Sequence, residues 1–365
     1  MTAGTRGNGW PAGREGSPRQ PADELLRAAT AAPSMHNTQP WRFRVCHETS
    51  TIELWADPAR MLPVADPHGR ATHIACGAAL YNLRLAAMVD GLEPHVRLLP
   101  DPGQPLLLAT IRLAGRHRVT SGERELYAAI PRRQTNREPF SSQAVPPGIR
   151  AELAEAAGLE GALLHFLDHS EARRVLSLAA DAERDLLADP SYLAELARWA
   201  GGERDRDGIP DRALGPSAME APAPVRDFTP LRRRTPVRYA WFENDPQLAV
   251  LSVRFGGRAD WLHAGQALQR VWLTATSRGI AVCPLTQPLE TADAWQVRDP
   301  RLADERPQMI FRLGYGLPLP PGAPRRPVPE VLDDRAGQGQ EHPAHQTSPT
   351  SISSSRPSGR KTPSE

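Results

Sequence analysis

Residues 33–41 read PSMHNTQPW and place four short polar side chains in one proline-bounded turn. The four are Ser34, Asn37, Thr38 and Gln39. Because Pro33 and Pro40 restrict the backbone, these donors and acceptors can rim a flat heterocycle, with Trp41 as an apolar anchor. The same pattern is compatible with an Asn-containing turn that only precedes a strand.

Two basic segments complement this turn. Residues 131–140 read PRRQTNREPF and hold three arginines within six residues, namely Arg132, Arg133 and Arg137. A guanidinium is always charged and offers forked donors, so such a segment can bind a phosphate dianion. Residues 324–328 read PRRPV and add Arg325 and Arg326. A solvated basic loop and a basic surface tail remain the alternative interpretations.

Charge and composition exclude several other classes of protein. The 44 Lys and Arg residues against 42 Asp and Glu give a net charge of +2, too balanced for wholesale neutralisation of nucleic-acid phosphates. No apolar run reaches the ~18 residues of a membrane span, and residues 1–16 lack a secretory apolar core, which predicts a cytoplasmic protein. Cys46, Cys76 and Cys283 are far apart and predicted to be buried thiols, and no cluster has zinc-like spacing.

The elements that must position these segments form a mixed pattern. Strand-like runs are predicted at residues 41–45, 51–55, 106–113, 163–167, 248–255 and 308–314. Helix-length amphipathic segments separate them, which indicates an α/β or α+β fold. Residues 1–21 and 333–365 are poor in apolar side chains and are predicted to be disordered. The polar, Pro-rich residues 201–236 are predicted to form a long lid or crossing loop.

Two helical segments, one in each half of the chain, align without a gap. Residues 77–92 read GAALYNLRLAAMVDGL and residues 265–280 read GQALQRVWLTATSRGI, with six of sixteen positions identical. Both have the apolar spacing of a buried helix and a glycine suited to a left-handed cap. Any two Ala/Leu-rich helices could align in this way. An internal duplication would instead give two similar lobes in one chain.

Together these segments resemble the nitroreductase-like flavoproteins, most closely the Acg-type branch, whose chain fuses two nitroreductase-like lobes. The markers span roughly residues 23–332 and are, in order, APSMHNTQPWRF, DPHGR followed by CGAALYNLRLAA, RRQTNREPF, GIAVCPLTQPLE, and RLGYG followed by PRRPV. Ordinary members are homodimers with FMN at the subunit interface. The resemblance therefore implies an α+β nitroreductase-like fold with tandem lobes at residues 22–125 and 126–332. They would form an intramolecular pseudo-dimer in a monomer, with a further homodimer left open.

The resemblance also implies roles for individual residues. Arg133 would hold the FMN phosphate, together with Arg132 and Arg325. Arg137 would lie near the N1/O2 edge of the ring, where two-electron reduction adds negative charge that a cation stabilises. Residues 284–287, PLTQ, would direct backbone N–H groups to flavin N5. The predicted cofactor-binding set is Pro33, Ser34, Asn37, Gln39, Arg132, Arg133, Thr135, Arg137, Pro284, Leu285, Thr286, Gln287 and Arg325.

Two departures from the family pattern bear on the number of sites. Ala323 stands where many members have a Lys, and no basic opening motif precedes Pro33, since Arg27 alone is a poor substitute. We therefore expect one complete flavin site per chain and a degenerate duplicate. His36 is the sole catalytic candidate, as a proton donor. A histidine in such a turn more often only satisfies the turn.

The resemblance implies an oxidoreductase in which NAD(P)H reduces FMN and a nitroaromatic, quinone or similar acceptor then takes hydride from the same face. The sequence contains no GxGxxG motif, consistent with transient stacking of NAD(P)H on the flavin. The alternative is a non-enzymatic flavin-binding or storage protein. In that case the predicted lid at residues 201–236 would close the acceptor face.

Overall fold

The computed structural model describes residues 21–231, 236–291, 304–320 and 322–333. Apart from residues 21 and 333, the predicted tails lie outside these ranges, as do residues 232–235 of the predicted lid. Within the described residues, helices surround two separate four-stranded sheets whose neighbouring strands are antiparallel. The α+β expectation is confirmed, and all six predicted strands are present.

The first sheet has the strand order β1-β2-β4-β3. Its strands are β1 (Trp41–Cys46), β2 (Thr51–Ala56), β3 (Leu92–Leu98) and β4 (Leu107–Arg116). A short helix, α1 (Pro21–Thr30), precedes it, and the long α2 (Arg70–Val89) connects β2 to β3. Asp66, in the DPHGR marker, fixes the start of α2, because its carboxylate accepts hydrogen bonds from the backbone N–H groups of Ala71 and Thr72.

The second half of the chain contains more helices. They are α3 (Ser121–Ala129), α4 (Pro147–Gly158), α5 (His169–Ala188), α6 (Pro190–Trp199), α7 (Arg258–Ser277) and the short α8 (Val328–Val331). Its strands are β5 (Leu163–Phe166), β6 (Ser217–Ala218), β7 (Tyr239–Ala240), β8 (Gln247–Val253), β9 (Ala281–Pro284) and β10 (Arg306–Gly314). The second large sheet has the order β5-β8-β10-β9, and α7 connects β8 to β9.

Both large sheets thus follow one scheme. In each, the strands are ordered first, second, fourth and third along the chain, and one long buried helix joins the second strand to the third. The predicted left-handed glycines follow both helices, with φ +82° at Gly91 and +72° at Gly279. The predicted lobe boundaries stay a prediction.

The two long helices cross at their aligned glycines. A Cβ built on Gly77 would lie 2.3 Å from the carbonyl oxygen of Leu262, and one on Gly265 would lie 2.1 Å from that of Ile74. Gly265 is the counterpart of Gly77 in the alignment of the two helices, and Leu262 is the counterpart of Ile74 in the same register. Contacts that repeat in exchanged form are those expected across a two-fold axis between equivalent helices.

The pattern of the sequence missed two strands of the large sheets, β3 and β9, and the two-residue strands β6 and β7. β3 is an edge strand in which only Leu92 is buried, so it lacks a clear apolar alternation. β9 has four residues, also at an edge. The cysteine prediction holds for Cys76 and Cys283, which are buried free thiols, but Cys46 is partly exposed. No helix within the described ranges has the length and apolarity needed to cross a membrane.

Candidate functional site

A cavity of about 560 Å³ lies where three segments meet. They are the polar turn (residues 33–41), the central arginine segment (residues 131–140) and the C-terminal arginine segment (residues 324–328). Of the predicted site residues, it brings together Pro33, Ser34, Asn37, Arg133, Thr135, Arg137 and Arg325, with His36 beside them. Residues 209–215 of the predicted lid form part of its wall. We call this space the larger cavity; its volume falls in the range typical of small-molecule sites.

A smaller cavity of about 120 Å³ shares six lining residues with the larger one. These shared residues are Pro33, Ser34, His36, Thr135, Arg137 and Ile209. The smaller cavity also contains the predicted residues Pro284 and Thr286, together with Cys283 and the apolar Trp272 and Phe228. The two cavities therefore adjoin along the central arginine segment and the polar turn.

Arg133, which is buried, and Arg325, which is half-buried, form a pair of cations at the larger cavity. Their guanidinium groups both donate to the carbonyl of Ala31, at 3.5 and 3.3 Å, and Arg133 also lies 4.6 Å from the ring centroid of Trp272. The Nε atom of each is buried and has no hydrogen-bond partner within the described part of the chain. Among the described residues, no carboxylate forms an ion pair with either guanidinium.

The environment of these cations disfavours their charge. Burial, with the nearby charge of Arg325, lowers the pKa of Arg133 to about 9, and burial lowers the pKa of Arg325 to about 10. Glu138 is the one carboxylate among the described lining of the larger cavity, and it is already paired with Arg238. An anionic ligand would therefore supply the charge and acceptors that this protein surface lacks.

Arg137 lies between the two cavities. It donates to the carbonyl of Ala213 at 2.8 Å, and its guanidinium lies 5.3 Å from the ring centroid of Phe228. Burial is the largest cause of a lowered pKa for Arg137, with a further contribution from the charge of Arg226. A third desolvated cation therefore faces the site, held in place by the predicted lid.

Asn37 connects two distant segments. Its Nδ2 donates to the carbonyls of Gly208 and Pro324, at 2.9 and 3.0 Å, and its Oδ1 accepts from Arg325 at 3.0 Å. Both hydrogens on Nδ2 and one of the two lone pairs on Oδ1 thus take part in hydrogen bonds. Its role in the structure is to hold Arg325 and residue 208 against the polar turn.

Gln39 connects the same two segments from beneath the turn. It is fully buried and does not line either cavity. Its Nε2 donates to the carbonyl of Arg206 at 2.8 Å, its Oε1 accepts from the backbone N–H of Arg326 at 2.9 Å, and its own N–H donates to Ser34 Oγ. The expectation that Gln39 would border the ligand is therefore not met by the geometry, because the whole side chain is engaged in holding the turn.

The turn itself carries backbone strain. His36, Asn37 and Gln39 have φ values of +49°, +56° and +51°, in the left-handed region that most non-glycine residues avoid and that Asn and His adopt more readily. Such conformations cost free energy, most of it at Gln39, and persist where surrounding contacts impose them. The hydrogen bonds of Asn37 and Gln39 provide those contacts.

His36 is the neutral group of the site. The side chain is 7% exposed, and its Nε2 is buried and makes no hydrogen bond with any residue that the structure describes. Burial, followed by the charges of Arg226 and Arg137, lowers the pKa of His36 well below its ordinary value. The ring is therefore uncharged near neutral pH, and an imidazolium that donates a proton is not its resting state.

Arg226 is a functional candidate that no sequence motif indicated. It lies in the predicted lid, lines the smaller cavity, and forms a buried cluster with Glu290 and Tyr192. It also donates to Thr286 Oγ1 at 3.1 Å. Next to this cluster, burial raises the pKa of Glu183 to about 7. An isolated Arg between prolines gives no local signal, because its partners belong to segments that are distant along the chain.

Three other predicted residues lie away from the larger cavity. Arg132 is exposed and donates to Ala128, so it does not face the arginine pair. Leu285 is buried in a hydrophobic cluster, and its N–H donates to the carbonyl of Ile310 at 2.9 Å. Its N–H is therefore not available to a ligand, which corrects the expectation for this residue. Gln287 is buried outside both cavities.

Comparison with known proteins identifies the family. The family model described as "Nitroreductase family" matches residues 130–315, just over half of the chain. The chain belongs to this family, and its fold is nitroreductase-like. The described residues contain no cluster of three His, Cys, Asp or Glu side chains that could hold a metal ion.

Similarity to individual proteins extends over most of the chain. The Mycobacterium tuberculosis H37Rv protein named "Putative NAD(P)H nitroreductase Rv3131" is 36% identical over 85% of this chain and 90% of its own length. "Putative NAD(P)H nitroreductase acg" of the same strain is 33% identical over 85% and 95%. A crystal structure of a Bacteroides fragilis nitroreductase with bound FMN has 15% identity and a TM-score of 0.31, covering 53% of this chain and 89% of that chain.

Proposed function

We propose that this protein is an FMN-binding oxidoreductase in which NAD(P)H reduces the flavin and a nitroaromatic, quinone or similar small acceptor takes the hydride. The observation that carries the proposal is the pair of guanidinium groups of Arg133 and Arg325, whose buried Nε atoms have no partner among the described residues at the wall of a ligand-sized cavity. A phosphate monoester supplies the negative charge and oxygen acceptors that they need. The names of the M. tuberculosis relatives support the reaction class.

The residues present fit such a cofactor. Arg133 and Arg325 would hold the phosphate, while Ser34, Thr135 and Arg137 lie where the two cavities join. When bound, FMN would supply a two-electron carrier. The fixed charge of Arg137 would stabilise negative charge that reduction adds in this region. NAD(P)H and the acceptor would then be transient ligands.

We also propose that the chain forms an intramolecular pseudo-dimer with one complete site. The strand scheme, the long helices and the exchanged glycine contacts support this arrangement. Residues 31–40 join α1 to β1, whereas only residues 159–162 join α4 to β5. In that short connection the buried Glu160 pairs with Arg84 at 2.7 Å and Arg270 at 3.0 Å. A carboxylate there already neutralises the local arginines, which favours one flavin per chain.

A flavin-storage protein is the second candidate, and the lid supports it. Residues 209–215 wall the larger cavity, while the Asn37–Gly208 and Arg137–Ala213 hydrogen bonds fasten the lid to the site. A closed lid would exclude NAD(P)H and acceptor while retaining flavin. Turnover therefore requires that these bonds open.

Anaerobic reduction tests the proposal. Protein loaded with FMN should lose its oxidised flavin absorbance on addition of NADH or NADPH and recover it on addition of a quinone or nitroaromatic. A yellow protein that excess NADH and NADPH leave oxidised would favour storage. Riboflavin, which lacks the phosphate, should bind much more weakly than FMN. A protein that stays colourless after incubation with FMN contradicts both functions.

A further inference from the structure

His36 is a buried, neutral polar group of the site whose Nε2 has no role in the proposed binding of FMN. Its Nε2 is buried and has no partner among the residues that the structure describes, the ring lines both cavities, and the backbone φ of the residue is +49°. Buried polar atoms are nearly always hydrogen-bonded, so an orphaned one at a cavity indicates a missing ligand contact.

The surroundings of His36 determine what this atom can do. The charged or titratable groups that share the smaller cavity are Arg70, Arg137, Arg226, Cys283 and Glu290, and α6, which packs against the turn, adds Glu195. Glu290 is paired with Arg226, and both carboxylate oxygens of Glu195 accept backbone N–H groups, from Val64 and Ala65. Burial is the largest cause that lowers the pKa of His36, and the positive charges of Arg226 and Arg137 lower it further, so the ring is neutral.

The other polar groups differ from His36 in chemistry. A guanidinium only donates hydrogen bonds and holds its proton tightly, so Arg70, Arg137 and Arg226 cannot accept a proton from the cavity. The neutral imidazole can expose a lone pair and bind a proton within the physiological range once its surroundings change. Negative charge in the cavity is such a change, because it offsets the repulsion from the two arginines.

We propose that His36 is the proton-accepting group of this site, taking one proton at Nε2 when the bound cofactor gains negative charge on reduction. This inference rests on the proposed function. Hydride from NAD(P)H carries two electrons and one proton to the cofactor, which then bears one added negative charge, while NAD(P)⁺ leaves. One further proton, supplied by solvent, forms the N–H bond on Nε2, and no other group is oxidised or reduced.

The number of protons taken up per two electrons tests the proposal. It is read from the pH dependence of the midpoint potential of FMN-loaded protein between about pH 5 and 8. The wild-type protein should take up two protons per two electrons over part of this range, and His36→Asn should take up one. Asn tolerates positive φ, so the turn can be retained. His68→Asn, at an exposed histidine, is the matched control and should behave as wild type.

Nuclear magnetic resonance of protein with ¹³C-labelled histidine gives a second readout that needs no variant. The His36 ring should stay neutral over this pH range in the oxidised, FMN-loaded protein and become protonated after anaerobic reduction with dithionite. Equal proton uptake by wild type and His36→Asn, or a ring that is neutral in both redox states, overturns the inference while leaving FMN binding intact. Failure to bind FMN at all overturns the proposed function as well.

Discussion

At the scale of single residues, two neighbouring arginines have opposite environments. Arg133 is buried and its Nε has no partner among the described residues, whereas Arg132 is exposed and donates to the carbonyl of Ala128. Desolvation of an unpaired cation opposes folding, so the protein keeps Arg133 at a cost to its ligand-free stability. That cost is expected where a charge is held ready for an anionic ligand.

Replacing Arg133 should therefore stabilise the ligand-free protein while it weakens the binding of FMN. We expect Arg133→Met to raise the melting temperature of the ligand-free protein, because it removes a desolvated charge, and to weaken FMN binding by about 2 to 4 kcal/mol. Thermal unfolding and fluorescence titration with FMN measure the two effects. Arg132→Met is the control and should change neither quantity by more than about 0.5 kcal/mol. An unchanged FMN affinity in Arg133→Met would refute the assignment of the phosphate contact.

At the scale of elements, the polar turn connects the predicted lid to the C-terminal arginine segment. Asn37 and Gln39 each bond to the predicted lid, at Gly208 and Arg206, and to the C-terminal arginine segment. The lid also contributes apolar residues to a buried cluster with α6. The position of the predicted lid in this structure therefore depends on side chains from a distant, earlier part of the chain.

A substitution of Gln39 tests this connection without changing the lining of either cavity. Gln39→Met keeps the shape of the side chain but leaves the carbonyl of Arg206 and the N–H of Arg326 unpaired. We expect a loss of roughly 2 kcal/mol in the free energy of unfolding, faster amide exchange near residue 208, and faster release of FMN. Gln143→Met, at an exposed position, should show none of these changes. Amide exchange that is as slow in Gln39→Met as in wild type would show that other contacts hold the lid.

At the scale of the whole molecule, the two halves meet where the two long helices cross. Gly77 and Gly265 allow backbone to approach backbone, since an added Cβ would lie 2.1 to 2.3 Å from a carbonyl oxygen of the facing helix. Trp272 and Leu268 of α7 also line the smaller cavity. The spacing of the helices and the shape of the site are therefore linked.

Gly77→Ala should destabilise the entire fold. The new methyl group meets the carbonyl of Leu262, which cannot move without shifting α7, so we expect a loss of about 3 kcal/mol in the free energy of unfolding by urea. Gly148→Ala in α4, where no atom lies within 4 Å of the added Cβ, should instead be neutral or stabilising by up to about 1 kcal/mol. Equal stability of wild type and Gly77→Ala would mean that the helices do not cross at this position.

The sequence by itself determined the class of fold, six of the strands, the two aligned helices and the three segments that meet at the cavity. Periodicity, turn chemistry and motif order are local properties, and a chain carries them before it folds. The pattern failed at β3 and β9, edge strands that bury too little apolar surface to show a period.

Only the tertiary structure decided which residues of each segment face the cavity and which connect one segment to another. Arg133 and Arg132 have the same side chain and adjacent positions, and burial alone distinguishes them. Asn37 and Gln39 look like ligand contacts in the sequence. Their hydrogen-bond partners lie in segments far along the chain, so their role in connecting these segments has no local signature. Arg226 and the free Nε2 of His36 became visible for the same reason: burial and long-range charge are properties of the folded chain.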